Sequence, residues 1–240
     1  MNVLVIDIGG TKVKIRSSAK KNGSFPSGSH LSPRQMVLGV KKVARDWQYD
    51  VVSIGYPAPV RRGQPILEPH NLGKGWVGFD FEAAFKRPVK LVNDAVLQAL
   101  GSYNGGKMLF LGLGTGLGSC MVVDGTVVPM ELAHLPYKKG TYEDCLGIRG
   151  LKKLGRKKWR KKVGEIVGVL SAALEPEDIV LGGGNVHQLD RLPTGCRAGD
   201  NANAFTGGVR LWKDYPTNPG QLGKPIPRRK SDARSKRKRR

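Results

Sequence analysis

One phrase occurs twice in this chain: an apolar run, a turn of glycine and threonine, then a second run of strand-forming residues. The first copy is VLVIDIGGTKVKI, from Val3 to Ile15, and the second is MLFLGLGTGLGSCMVV, from Met108 to Val123. Short apolar runs bounded by glycine read as buried strands, and a tight turn between two of them makes a β-hairpin. Repetition of that unit points to an internally duplicated α/β protein with two lobes. The turns also carry chemistry. Glycines between strands leave main-chain N–H groups pointing outward, and threonine adds a hydroxyl donor, so each turn can cradle a phosphate. A hairpin that needs glycine for backbone reasons alone has the same sequence.

The remaining segments fall around the two hairpins. Residues 17 to 34 read as loop from their Ser, Gly and Pro content, and Met36, Val37, Val40, Val43, Ala44 and Trp47 then recur at helical spacing, which predicts a helix ending near Asp46 to Tyr49. VVSIGYPAP reads as a buried strand, and Val60 to Phe79 has no convincing period. Val89 to Val92 is a strand that hands over, at Asn93 and Asp94, to a helix from Ala95 to Tyr103. Trp159, Val163, Ile166, Val167, Leu170 and Leu174 mark the apolar face of a helix whose other faces are basic, with Trp76 and Trp159 read as packing residues. Asp178 to Leu181 is a strand running into GGGN, and Asn203 to Trp212 is the last expected helix.

Charge narrows the partners. Lys and Arg number 41 against 19 Asp and Glu, a net charge of +22 in 240 residues, which makes a polyanionic partner an expectation. Part of the excess lies in a terminal run ending PRRKSDARSKRKRR, so 214–240 reads as a disordered basic tail fit for nonspecific polyanion contact. The three cysteines, Cys120, Cys145 and Cys196, are scattered and odd in number, which suits neither a disulfide framework nor a four-thiolate zinc site. Val3 to Ile8 is too short for a secretory signal, and no stretch approaches the roughly 18 apolar residues of a membrane span. A cytoplasmic protein without membrane association is expected.

Four clusters follow in order: Asp7 with Gly9, Gly10 and Thr11; Asn93 with Asp94; Gly114, Thr115 and Gly116; and Gly182, Gly183 and Gly184. In this order, and in the stretches IDIGGTKVK, LVNDA, LGLGTGLG, MELAHLPY and VLGGGN, residues 1 to 212 resemble the ROK-family sugar kinases of the actin-like ATPase superfamily, most closely their polyphosphate/ATP glucokinase branch. The resemblance implies a two-lobed actin-like (ribonuclease H-like) α/β fold with a cleft between duplicated lobes. Lobe one would span 1–94 and lobe two 95–213. It implies transfer of a phosphoryl group from ATP or inorganic polyphosphate, with Mg²⁺, to the 6-hydroxyl of glucose or a related hexose. It allows a homodimer.

Position by position, the resemblance makes Asp94 the catalytic base. Gly9, Gly10, Thr11 and Lys12 form the first phosphate loop and Gly114, Thr115 and Gly116 the second. Asn71, Asn93, Glu131, His134 and Glu143 contact the sugar, and Gly182, Gly183, Gly184 and Asn185 border the adenosine or the donor chain. Asp7 would orient Mg²⁺ through water. The family's cysteine-rich zinc segment is missing between His134 and Glu143, and the glycine of its ExGH motif is Ala133 here, so no structural zinc is expected.

The residue types agree with this chemistry, since phosphoryl transfer needs a carboxylate to accept the hydroxyl proton and N–H donors plus a divalent cation on the phosphates. Each has a plainer reading. Asn-Asp at a helix start is also an ordinary N-cap, Asp7 a strand-end turn residue, and Glu131 with His134 a surface pair. The run Leu151 to Lys162 has eight basic residues and no acid, and is either a solvated helix face or a track for successive phosphates. The competing functions are a sugar-sensing regulator of the same family and a nucleic-acid-associated protein without kinase activity. Such regulators carry a helix-turn-helix ahead of the first phosphate loop, and Met1 stands just before that strand, so the kinase is the expectation.

Overall fold

A computed structural model describes residues 1–213, so the basic tail expected at 214–240 lies outside the described residues. The first sheet holds β1 (Val3–Ile8), β2 (Lys12–Ser17), β3 (Asn22–Pro26), β4 (Val51–Tyr56) and β5 (Val89–Asn93), in the order β3-β2-β1-β4-β5. The second holds β6 (Lys107–Leu113), β7 (Leu117–Val123), β8 (Thr126–Met130), β9 (Asp178–Gly182) and β10 (Cys196–Ala198), in the order β8-β7-β6-β9-β10. In each sheet the first three strands pair antiparallel and the last two join in parallel. The duplication inferred from the two glycine turns therefore extends to whole sheets. This is the two-lobed actin-like fold.

Helices cover both sheets. Helix α1 (Pro33–Val43) starts at a capping box, in which Ser32 accepts from the Gln35 N–H and Gln35 reaches back to the Ser32 N–H, with Pro33 in the first turn where no donor is needed. It packs with α2 (Phe81–Phe85) on the outer face of the first sheet, around Ile6, Ile54, Trp76 and Leu91. On the outer face of the second sheet, α4 (Tyr142–Leu146) and α5 (Ile148–Leu174) enclose Leu111, Trp159, Val163 and Ile166. The apolar stripe read from Trp159 to Leu170 is the buried one.

Between the sheets lie α3 (Asp94–Ser102) and α6 (Asn203–Lys213), and these two are exchanged. Helix α3 leaves the first sheet yet packs most heavily on β7 of the second while keeping contact with β4 of the first, and α6 follows the second sheet and packs on β1 and β4 of the first. Their crossing is close because it is built on glycine. A Cβ at Gly207 would collide with the Leu97 carbonyl, and one at Gly101 with the Asn203 carbonyl. Polar ties lock the far end: the buried Lys90 ammonium donates to the Leu211 carbonyl at 2.8 Å, Ser53 donates to the Gly208 carbonyl at 2.6 Å, and the Trp212 indole donates to Ser53 at 3.0 Å.

Three local expectations change. The stretch 17–34 is not all loop, because Asn22–Pro26 forms edge strand β3; its polar sequence NGSFP hides it, as an edge strand with little burial requires few apolar residues. Helix α1 stops at Val43, and Trp47 instead closes a turn by donating its N–H to the Ala44 carbonyl. Helix α5 is broken at Gly155, whose φ of 71° is left-handed, so the basic run spans two rods. Among the described residues no helix is long and apolar enough to cross a membrane.

The crossing predicts opposite signs for one substitution type. Gly207→Ala should lower stability by about 1–3 kcal/mol through overpacking, whereas Gly168→Ala, exposed on α5 with open space around it, should raise stability by about 0.5–1 kcal/mol. Urea midpoints at constant slope measure both.

Candidate active site

The first glycine turn joins β1 to β2. Gly9 donates its N–H to the Lys12 carbonyl at 3.0 Å, and Ser27, just past β3, braces the turn by donating its hydroxyl to the Gly9 carbonyl at 2.6 Å and its N–H to the Thr11 carbonyl at 3.1 Å. Gly10 and Thr11 are exposed, and their N–H groups have no partner among the described residues. Lys12 opens β2 and is exposed. Asn71 stands beside this turn, its Cβ 3.6 Å from where a Gly10 Cβ would lie.

The second turn, between β6 and β7, is held more firmly. Gly114 donates to the Gly116 carbonyl at 3.1 Å; the Gly114 carbonyl accepts from the Ile148 N–H at 3.1 Å and from the Asn185 amide at 2.8 Å. Asn185 also donates its N–H to the Leu113 carbonyl at 2.8 Å. Gly183 has a φ of 85°, and a Cβ there would sit 2.5 Å from the Leu113 carbonyl oxygen, so glycine is demanded twice over. The GGGN segment thus supports the second turn from behind, with Gly182 ending β9 and Gly184 in open space.

Asp94 begins α3, where the strand-end residue Asn93 is the N-cap. The Asn93 side-chain oxygen accepts from the Ala95 N–H at 2.9 Å, and its amide donates to the Ala58 carbonyl at 3.3 Å. The cap reading of Asn-Asp therefore falls on Asn93. Asn93 does the capping, which leaves its amide committed to backbone, and Asp94 adds an acceptor for the same Ala95 N–H at 2.8 Å.

Carboxylates converge on Asp94. Burial, then the negative charges of Asp7 and Glu131, push its pKa from 3.8 to about 7 against the Ala95 N–H, which favours the ionised form. Asp7, near the end of β1, is itself raised by burial with Lys14 opposing, and no hydrogen bond reaches its carboxylate among the described residues. Glu131 is raised by burial and by Glu143, with His134 opposing. Glu143 accepts from the Leu117 N–H at 3.4 Å and lies against Gly116. Asp7, Asp94, Glu131, His134 and Glu143 thus form one electrostatic neighbourhood, bordered by the two turns.

Sequence reading missed two contributors. Arg149, at 3.4 Å from Glu143 and 3.1 Å from Asp144, sets the Glu143 carboxylate, but one arginine in so basic a segment carries no signal. Ser27 was hidden in the stretch read as loop. The cationic run is also less uniform than its composition: Arg160 pairs with Asp190 and Lys162 with Glu165, while Lys152, Arg156, Lys157, Lys158 and Lys161 are exposed and make no ion pair among the described residues.

No protein-family model matches the chain. Polyphosphate glucokinase of Mycobacterium leprae is 24% identical over 155 residues, covering 58% of this chain and 48% of that protein. The chain spans about half the length of the curated relatives it matches. In structure it is similar to the inorganic polyphosphate/ATP-glucomannokinase of Arthrobacter sp. strain KM, with a TM-score of 0.75 and 22% identity over 87% of this chain and 96% of that one. It is also similar to a ROK family transcriptional regulator, a homologue of the E. coli MLC protein, with a TM-score of 0.72 and 15% identity over 92% and 79%. The chain therefore has the fold of the ROK proteins. Its sequence likeness is to polyphosphate glucokinases.

The raised Asp94 carboxyl has a stability signature. A group that holds its proton more tightly when folded favours the folded state at low pH, and that contribution is lost as pH rises from about 4 through 7. Asp94→Asn, which keeps an acceptor for Ala95 N–H, should therefore be more stable than wild type at pH 8 by about 1–3 kcal/mol and no more stable at pH 4. Denaturation at the two pH values checks this.

Proposed function

We propose that this chain is a sugar kinase which transfers a phosphoryl group from ATP or inorganic polyphosphate to the 6-hydroxyl of glucose or a close hexose. The observation that carries the reading is the Asp94 carboxyl, lifted to about 7 at a helix start between two glycine turns. A base with that pKa is half ionised near neutrality and is basic enough to accept the hydroxyl proton as the oxygen attacks. The free N–H groups of Gly10 and Thr11, with the Thr11 and Thr115 hydroxyls, would hold phosphate oxygens as charge shifts toward the leaving group. Asn71, Glu131, His134 and Glu143 would hold the sugar hydroxyls, giving selectivity because a missing hydroxyl leaves them unpaired. Asn93 acts there mainly by fixing Asp94. Lobe closure would exclude water as a competing acceptor.

Mg²⁺ fits the donor set. The carboxylate of Asp7 and phosphate oxygens are hard ligands, and Asp7 is half-buried with no hydrogen bond to its carboxylate among the described residues. Asp7 would hold the ion through water, and the ion would neutralise phosphate charge. Among the described residues no group of three or more His, Cys, Asp or Glu is placed to ligate a metal directly.

The exposed cations of α5 favour polyphosphate as one donor. The helix starts against the second turn, through Ile148, and Lys152, Arg156, Lys157, Lys158 and Lys161 are exposed beyond it, where they would be available to successive phosphates of a long donor. The same cations also favour a second reading, a sugar-sensing regulator that contacts nucleic acid without catalysis. A coupled assay over a panel of hexoses with ATP and with polyphosphate separates the two, because a regulator turns over neither donor.

Two results are expected. Asp94→Asn should cut turnover by at least about 10²-fold and leave sugar affinity within a few-fold; near-normal turnover would remove Asp94 as base. Changing Lys152, Lys157, Lys158 and Lys161 to Gln should raise KM for polyphosphate strongly, with a steep salt dependence lost, and KM for ATP little. Equal loss of both donors would place these lysines in the scaffold or the ATP site.

A further inference from the structure

Three of the side chains assigned to the sugar, Glu131, His134 and Glu143, ride on one segment that leaves the second sheet after β8 and returns at α4. Its near end is pinned by the Leu132 N–H donating to Ser119 at 3.1 Å. Midway it forms a hairpin of only two residues per strand, Pro136–Tyr137 against Gly140–Thr141, with Lys138 at the turn in left-handed backbone of φ 54°. So short a ribbon does not hold its shape alone. Tyr137 connects it to the body. Its hydroxyl donates to the Glu165 carboxylate of α5 at 2.7 Å, and the Lys162 ammonium binds the same carboxylate oxygen at 2.5 Å while lying 3.4 Å from the hydroxyl. The ammoniums of Lys138 and Lys162 both lie over the Tyr137 ring, at 5.5 and 5.8 Å from its centre. That ring also packs on the second lobe's hydrophobic cluster, where Tyr142, 5.7 Å away, is buried and precedes Glu143.

We propose that Tyr137, Glu165 and Lys162 form a clasp that positions the sugar-contacting segment, so that hexose affinity depends on a hydroxyl that touches neither sugar nor donor. The proposal rests on the sugar-kinase reading above. Tyr137 is a positioning residue: hydroxyl to Glu165 fixes the ring, the ring fixes Tyr142, and Tyr142 sets where Glu143 leaves α4. The group is partly exposed, and exposed ion pairs contribute little to global stability. What it can decide is the local equilibrium of a marginal hairpin, which sets the fraction of molecules ready for sugar.

The test is Tyr137→Phe in the full chain, which keeps the ring and removes the hydroxyl, with Glu165→Gln as a milder second variant that keeps an acceptor. KM for glucose should rise about 5-fold in Tyr137→Phe, equivalent to about 1 kcal/mol, with kcat and KM for ATP within about two-fold and the melting temperature within about 2 °C. Amide exchange over 135–142 should quicken by a similar factor, while β1 and α6 are unchanged. Glu165→Gln should move the same way by less. An unaltered glucose KM, a kcat loss at constant KM, or a large fall in melting temperature would each overturn the clasp. If the wild-type chain phosphorylates no hexose, the sugar-kinase reading fails instead. The exchange comparison, which needs no turnover, then decides the clasp by itself, with unchanged exchange over 135–142 counting against it.

Discussion

The rest of the molecule depends on the glycine crossing of α3 and α6. Helix α6 belongs by sequence to the second sheet and by packing to the first, and α3 leaves the first sheet to pack across both, so neither lobe completes its core without a piece of its neighbour. Close approach of two backbones needs residues without a side chain at the contact, and Gly101 and Gly207 provide it. Because α3 starts at the end of β5 and then enters the second lobe, its first residue lies at the seam. That residue is Asp94. The position of this perturbed carboxyl at a helix start is thus a consequence of how the two halves are joined.

Electrostatics follow from the same placement. A carboxylate at a helix N-terminus is ordinarily favoured in its ionised form, and the Ala95 N–H acts in that direction here. It is outweighed by desolvation and by Asp7 and Glu131, which reach Asp94 from β1 of one lobe and from the end of β8 of the other. Stability is given up at neutral pH for a group that can exchange a proton there. Such conflicts between local preference and surroundings concentrate at functional positions.

Much of this was legible in the sequence where physics is local. The two glycine turns, the strand-to-helix handover at Asn93-Asp94 and the GGGN segment announce themselves because each needs particular residues at particular backbone positions. Edge strand β3, the three-residue β10 and the five-residue α2 were not legible, since short or edge elements bury too little to impose a period. The exchange of helices was also hidden. Gly101, Gly207 and Gly208 read as weak helix formers, and only the partner helix shows why they are there. In the cationic run, composition gave the sign of the charge but not its pairing, which separates Lys162 and Arg160 from their exposed neighbours.

The two turns share a sequence pattern but not a mechanical setting. The second is gripped by Ile148 and Asn185 and backed by Gly183, whereas the first hangs from Ser27 beside an edge strand. A ligand at the second turn would meet a backbone already held by these hydrogen bonds and would sacrifice less conformational entropy there. At the first turn that entropy is still to be lost. Under the kinase reading the two turns would therefore differ in entropic cost even where their sequences match: the second would take phosphate nearly preformed, and the first would have to be ordered around it.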